Sequence, residues 1–499
     1  MSSPHRDPID KVPPAAKYLM VLGLGVSIGL LILFLADREA RWIVIATAAL
    51  AGLLIIIVMP AKQKLLTTIF ILSLQVDIYL RFLYGRAGSN EGLAIPLVVF
   101  GGGGVLVWYA IAGRLRTFRW AGSMGIPILA LFATGVLSIV TSSERFVGLT
   151  SLLYSIELYF LYWLAFNLGR SQEDFERIIK LLLIMLGTQA TIYFVQSALG
   201  ITFNFMGETI QGGDVPRPGG TVSTNPAGFT SFIMPALMIT SALVISKPRF
   251  FPRPYMVVLM LLGTGAIGLS FTRAAWIGFA IGLVTIIVIA WRRRTAQGRM
   301  VFWITVITVA GIAILFPTML TRISGDYAAL GGDPNEATLH ERMALVRIAL
   351  DIIAAHPFTG IGTGAYSQVF RAYANDTNQW LFIVHNEFLL RAAETGIPGA
   401  IAFLVLLLAG FRIALRLAQT KPSLISVSAL GWFGALVALV WQMNWVPWIG
   451  WSYNAMLWLM LGLMDGAQSL ALRGEGPPQQ HEAQFVRGRR ERAPVEKVS

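Results

Sequence analysis

Apolar positions in this chain gather into long runs rather than into stripes. The runs fall near 18–36, 41–59, 63–80, 93–112, 124–141, 150–169, 176–199, 227–246, 255–271, 274–291, 301–319, 397–417, 424–443 and 452–470. Each is about as long as the roughly 20 residues a helix needs to cross a bilayer. Two of them are short or polar enough to be re-entrant or interfacial, so the pattern predicts twelve to fourteen spanning helices. Polar stretches interrupt the runs at 200–226, at Ser270–Ala274 and at 320–396. The last is the only sizeable segment outside the apolar runs. Within it, Thr338 and Glu341 have capping-box spacing. The residues that follow predict an amphipathic helix over 339–355, with Met343, Val346, Leu350 and Ile353 on one stripe. Such a helix suits the membrane surface or the flank of the spans. His356-Pro357 stops it, and Gly360-Ile361-Gly362-Thr363-Gly364 makes a flexible turn. A short helix over 385–395 ends at Gly396, with Pro398 placed in the first turn of the next span.

Composition agrees with this division. Of 499 residues, 56% are hydrophobic and 13% charged, and mean hydropathy is +0.67. Soluble domains carry about 25% charged residues, so the expected class is an all-α polytopic membrane protein. The expected organisation is a tail over 1–17, helices over 18–319, a loop domain over 320–396, helices over 397–470 and a basic tail over 471–499. The first apolar run lacks a small-residue cleavage site and reads as a retained span. With no cysteine, neither disulfides nor thiolate metal sites enter the argument. Most of the 39 basic residues lie in the tails and in alternate loops, including Lys62/Lys64, Arg114/Arg116/Arg119, Arg292–Arg294 and Arg412/Arg416/Lys421. Positive loops stay cytoplasmic, so both termini are expected there, and 200–226, 270–274 and 320–396 on the other side. The net charge of +13 is then mostly a topological signal, and nucleic-acid binding is not needed to explain it.

Candidate chemistry collects on the exported side. Arg217 lies in Pro216-Arg217-Pro218-Gly219-Gly220, Arg273 in Ser270-Phe271-Thr272-Arg273, and Arg342 at the start of the amphipathic helix. Guanidinium forks hold phosphate oxygens bidentately and stay charged, and glycine-rich turns admit backbone N–H groups, a combination suited to a lipid-linked pyrophosphate. The competing reading is arginines anchoring loops at lipid headgroups. Of the five histidines, His385 sits just before an apolar run, where a neutral imidazole can accept a hydroxyl proton. His340 is a rival base, His356 reads as turn chemistry, and His5 and His481 lie on the wrong side. Glu157 is a carboxylate inside a predicted span and so a functional candidate. Asp77 and Arg81, at i and i+4, are expected to pair. Asp37 and Glu39 resemble an acidic metal-holding pair, but flanking Arg38 and Arg41 make a charged hairpin the simpler reading. No nucleophile elbow, zincin motif, P-loop or dinucleotide fingerprint is present.

The run Arg342…Ala355-His356-Pro357-Phe358-Thr359-Gly360-Ile361-Gly362-Thr363-Gly364, then His385-Asn386, nine residues, and Gly396-Ile397-Pro398-Gly399, resembles the bacterial O-antigen ligase/polymerase superfamily. The His-Asn to Gly-x-x-Gly spacing is most similar to the ligases. The continuation Gly399-Ala400-Ile401 departs from the ligase Gly-Thr-Gly, which leaves polymerases and protein-glycosylating relatives open. The resemblance implies a GT-C-like, metal-independent, inverting glycosyltransferase without cofactors. It acts in the bacterial inner membrane with its site facing the periplasm. An undecaprenyl-pyrophosphate-linked glycan is the implied donor and lipid A–core the acceptor. The family's catalytic histidine carries over to His385 and its arginines to Arg273 and Arg342. Arg217, Asn386 and His340 are expected to bind substrate. A lipid-linked-glycan flippase is the reading from another class, disfavoured by the scarcity of charge inside the spans.

Overall fold

The computed structural model describes residues 62–76, 79–81, 94–201, 218–223, 225–246, 250–302, 306, 339–374 and 383–472. Side chains are described for all of these except 62, 79–81, 94 and 339–341. The chain divides into two compact units, Met1–Leu66 and Thr67–Ser499, and the account below concerns the second. Expectations resting on Asp37, Glu39, Asp77, Arg217 and the runs at 18–36 and 41–59 lie outside the described residues, as do the side chains of Arg81 and His340.

The described elements are helical apart from one short antiparallel ribbon. Helix α1 (Lys62–Ser73) is followed by β1 (Tyr79–Arg81) paired with β2 (Ala94–Pro96). Next come α2 (Leu97–Ile111), α3 (Gly125–Thr141), α4 (Arg145–Leu168), α5 (Gln172–Leu199), α6 (Pro226–Ile245), α7 (Arg253–Leu269) and α8 (Arg273–Arg292). The chain then gives α9 (Leu339–Ala355), the single turn α10 (Tyr366–Val369), α11 (Glu387–Ala418), α12 (Leu424–Met443) and α13 (Trp451–Leu472). Among the described residues seven helices are long and apolar enough to span a bilayer, and α1, α2, α3 and α7 are shorter apolar helices. Local signals set several ends. Asn225 caps α6, accepting from the Ala227 N–H at 2.8 Å, with Pro226 in the first turn. Ser423 and Ser426 form a reciprocal capping box on α12.

Lipid offers no hydrophobic drive for helix pairing, so close packing through small residues carries it. A Cβ added at Gly282 of α8 would lie 2.6 Å from the Gly434 carbonyl oxygen of α12, and one at Gly278 would lie 2.8 Å from that of Ala438. The two contacts run in opposite senses along the two helices, so α8 and α12 are antiparallel. In α13, Gly462 and Gly466 meet the Tyr162 and Phe166 carbonyls of α4 at 2.2 and 2.1 Å by the same construction, and that pair is parallel.

At one end, Asp465 ties α13 to the start of α3. Its carboxylate accepts from the Ser123 N–H (3.0 Å), the Met124 N–H (3.2 Å), the Tyr162 hydroxyl (2.5 Å) and Gln468 Nε2 (2.6 Å). The described basic residues Arg114, Arg116, Arg119, Arg170 and Arg177 cluster at this end, where α2, α4 and α5 begin or finish.

The other end carries a small core of its own, made by Leu345, Ile348, Ala349 and Ile352 of α9 with Ile361, Tyr366, Phe370, Val384, Leu390 and Ala393. Of the expected stripe, Ile353 is half-buried against this core, while Met343 is 63% exposed, Leu350 51% and Val346 36%, as suits apolar residues that face a membrane surface. The helix carries a second apolar stripe beside it, and that one packs on the protein.

Gly396 divides α11 as expected, with φ 73° and ψ 173° inside an otherwise continuous helix. The glycine-rich turn closes onto this break. The Ile361 N–H donates to the Ala393 carbonyl (3.0 Å), the Gly362 N–H to the Glu394 carbonyl (3.0 Å) and the Ile397 N–H to the Pro357 carbonyl (2.8 Å). Ser142 Oγ donates to the Ile361 carbonyl at 2.7 Å, and the Thr363 N–H donates to Ser138 Oγ at 3.1 Å. The approach is close enough that a Cβ at Gly360 would sit 2.3 Å from the Glu394 backbone. The expected flexible turn is thus locked to α3 and α11 by its own amides.

Candidate active site

His385 lies one residue before Asn386, the N-cap of α11. Asn386 Oδ1 accepts from the Phe388 and Leu389 N–H groups, both at 3.0 Å, as an N-cap carboxamide should. Its Nδ2 donates to Asn444 Oδ1 at 3.3 Å. That bond fixes the start of α11 to the loop between α12 and α13. Glu387, only 1% exposed, makes a second tie. Its Oε1 accepts from Arg391 Nε at 2.7 Å, and its Oε2 accepts from the Trp448 N–H at 3.0 Å. The sequence held the Glu387–Arg391 pair at i,i+4 spacing, and that signal was passed over. Asn386, expected to bind substrate, has a capping and tethering role in the fold.

The imidazole of His385 is half-buried, with Val384 before it fully inside the outer core. Burial and then the positive charge of Arg342 hold its pKa below the ordinary histidine value. A contact of the ring with the Ile383 backbone acts the other way. Nδ1 is buried with no hydrogen-bond partner among the described residues. The structure therefore brings His385 and Arg342 into one electrostatic environment, although 42 positions separate them in sequence. Their common support is the packing of α9 on the first half of α11.

Arg273 opens α8, immediately after a strained turn in which Phe271, a bulky L-residue, takes φ 51°. Strain at such a position persists only where the surroundings over-determine it. The antiparallel contacts of Gly282 with Gly434 and of Gly278 with Ala438 continue to Arg273 level with Met443, the last residue of α12. Asn444 follows directly, in contact with Asn386. Arg273 thus belongs to the same end of the bundle as His385.

Glu157 stands on α4, with Oε2 buried and lacking a hydrogen-bond partner among the described residues, and Trp451 beside it. Buried Glu394, which the sequence reading did not single out, accepts from the Tyr366 N–H at 3.4 Å and holds the glycine-rich turn from inside. His356, at the turn, pairs its Nε2 with the Tyr373 hydroxyl at 3.0 Å.

These features define a helical, multi-pass membrane protein in which His385 and Arg342 share one electrostatic environment at one end of the bundle. Residues 256–404, from Met256 in α7 to Leu404 in α11, match the protein-family model described as O-antigen ligase. Over this stretch, less than a third of its length, the chain is similar to the O-antigen ligase superfamily, whose members are glycosyltransferase-like enzymes. The match contains Arg273, Arg342, His385 and Asn386. No curated protein matches the chain.

Proposed function

We propose that this protein is an O-antigen ligase, moving O-antigen polysaccharide from undecaprenyl pyrophosphate to lipid A–core at the periplasmic face of the inner membrane. The observation that carries the reading is His385, inside the family-matched stretch, half-buried beside Arg342, both of which disfavour its protonation. A base works when it is unprotonated near operating pH and within reach of the proton. With Nδ1 turned inward, Nε2 is the nitrogen left for substrate.

In the proposed step the acceptor hydroxyl gives its proton to His385 Nε2 while its oxygen bonds to C1 of the donor sugar from the face opposite the pyrophosphate. The C1–O bond breaks, and its electron pair leaves with undecaprenyl pyrophosphate. The anomeric centre inverts. Arg273 and Arg342 stabilise the negative charge that develops on the leaving group, the task a divalent cation performs elsewhere. His340 and Arg217 join as substrate-binding candidates on the sequence argument alone. The mostly basic opposite end fits a cytoplasmic placement, with both termini on that side.

The deciding experiment incubates the purified protein with a lipid-linked glycan and offers lipid A–core, a second lipid-linked glycan and a serine-containing peptide in separate reactions. Transfer to lipid A–core is expected. Transfer only to the second glycan makes the protein a polymerase, transfer only to peptide a protein O-oligosaccharyltransferase. Movement of intact donor across vesicles without transfer makes it a flippase.

A further inference from the structure

We propose that Trp445, with Trp441 behind it, is a saccharide-binding platform beside His385, a role that rests on the glycosyl-transfer reading above. Three contacts place it there. Asn386, next to His385, bonds Asn444, next to Trp445. Glu387 holds the same loop from its far side through the Trp448 N–H. Trp441 packs into the bundle against α8, its Cδ1 3.4 Å from where a Cβ on Gly278 would be. The α8 register that follows brings Arg273 level with this loop.

The chemistry of the cluster suits a sugar ring. Trp445 is 41% exposed, and its ring centroid lies 5.8 Å from that of Trp441, tilted by 47°. An open indole face takes the C–H face of a pyranose. The indole Nε1 of Trp441 is buried with no hydrogen-bond partner among the described residues, as is that of Trp448.

Tryptophans at bilayer interfaces commonly anchor helices by facing lipid headgroups. Trp445 differs because both its flanks are tied inward, to α11 through Asn444 and to α8 through Trp441. The saccharide belongs either to the donor glycan or to the acceptor core, since both must meet near His385.

The test uses full-length protein in nanodiscs with three probes: undecaprenyl pyrophosphate, the same carrier bearing an oligosaccharide, and lipid A–core. In the Trp445→Ala variant, KM for the saccharide-bearing partner should rise about tenfold, the usual scale for losing a buried aromatic anchor, with kcat little changed. Trp445→Phe should keep most of the wild-type KM. A rise in donor KM assigns the platform to the donor glycan, and a rise in acceptor KM assigns it to the acceptor. Fluorescence titration gives binding without catalysis. Wild type should prefer the glycosylated carrier to the bare one, and Trp445→Ala should lose that preference. Equal weakening toward bare and glycosylated carrier would mean a lipid anchor and overturn the proposal, as would unchanged KM for both substrates. Glycan preference that depends on Trp445 in a protein that transfers nothing would keep the platform and reject the transferase.

Discussion

Asp465 and His385 are both polar side chains set among apolar helices, at opposite ends of one bundle, and they are served very differently. Asp465 has partners for both oxygens: two backbone N–H groups that begin α3, a tyrosine hydroxyl and a glutamine amide. His385 has a nitrogen with none among the described residues, beside an arginine that discourages its protonation. The contrast also runs within the His385 end, where the turn 360–364 and the cap of α11 are satisfied, whereas Trp441 Nε1, like Glu157 Oε2 within α4, is buried with no partner among the described residues. Fully satisfied polar groups specify a fold. Groups left unsatisfied cost stability and persist where a ligand or a reaction needs them.

The sharpest break of this contrast is His385→Ala. It should lower transfer about 10²–10⁴-fold, the range for loss of a general base. The protein should insert and purify as wild type, with thermal unfolding in detergent nearly unchanged. If the variant turns over normally while His340→Ala is dead, the base has been assigned to the wrong histidine.

Asp465→Ala should do the reverse. It strands the Ser123 and Met124 N–H groups and the Tyr162 hydroxyl, at a cost of about 3 kcal/mol, read as a lowered Tm. Turnover per folded molecule should stay at the wild-type value. A catalytic loss with unaltered Tm would erase the distinction between the two ends.

Arg342 offers a smaller, directional test. With neutral His385 as the proposed base and its pKa depressed, activity should hold on acidification until the pH falls below the ordinary histidine range. Removing the nearby positive charge in Arg342→Gln lets that pKa rise, so the acidic limb of kcat/KM should move to higher pH. Arg342→Lys should keep the limb in place yet recover rate only partly, since an ammonium lacks the bidentate fork. A limb that does not move in Arg342→Gln separates the two residues.

The smallest expected effect is that of chelation. EDTA should leave transfer unchanged, with no requirement for magnesium or manganese. Loss of activity restored by manganese would move attention to Asp37 and Glu39.

Much of the fold was legible because it depends on contiguous residues. The run at 424–443 is α12 residue for residue, and the breaks at Ser270 and Gly396 fall where small and strained residues interrupt the apolar pattern. Run length decides whether a helix crosses a membrane, and it is a local property. Asp465, an acid in the middle of an apolar run, carried the same flag as Glu157 and was overlooked. Glu387 and Arg391 were readable as an i,i+4 pair. The face of α9 was not readable, since Met343-Val346-Leu350 and Leu345-Ile348-Ile352 are equally apolar stripes. Only contact with α10 and α11 distinguishes them. Nothing in composition or spacing linked Trp445 to His385, because that link is a hydrogen bond between Asn386 and Asn444.

By itself, then, the sequence determined the helical membrane class, most described helix limits and the residue types able to do the chemistry. Hydropathy, caps and breakers act over a few neighbouring positions and leave their mark in order along the chain. The tertiary structure alone decided which of those residues meet. Arg342 reaches His385 through a core shared by α9 and α11, and Arg273 reaches the same end through a glycine-lined helix contact. Such meetings depend on the packing of elements distant in sequence, and that packing has no periodicity to read.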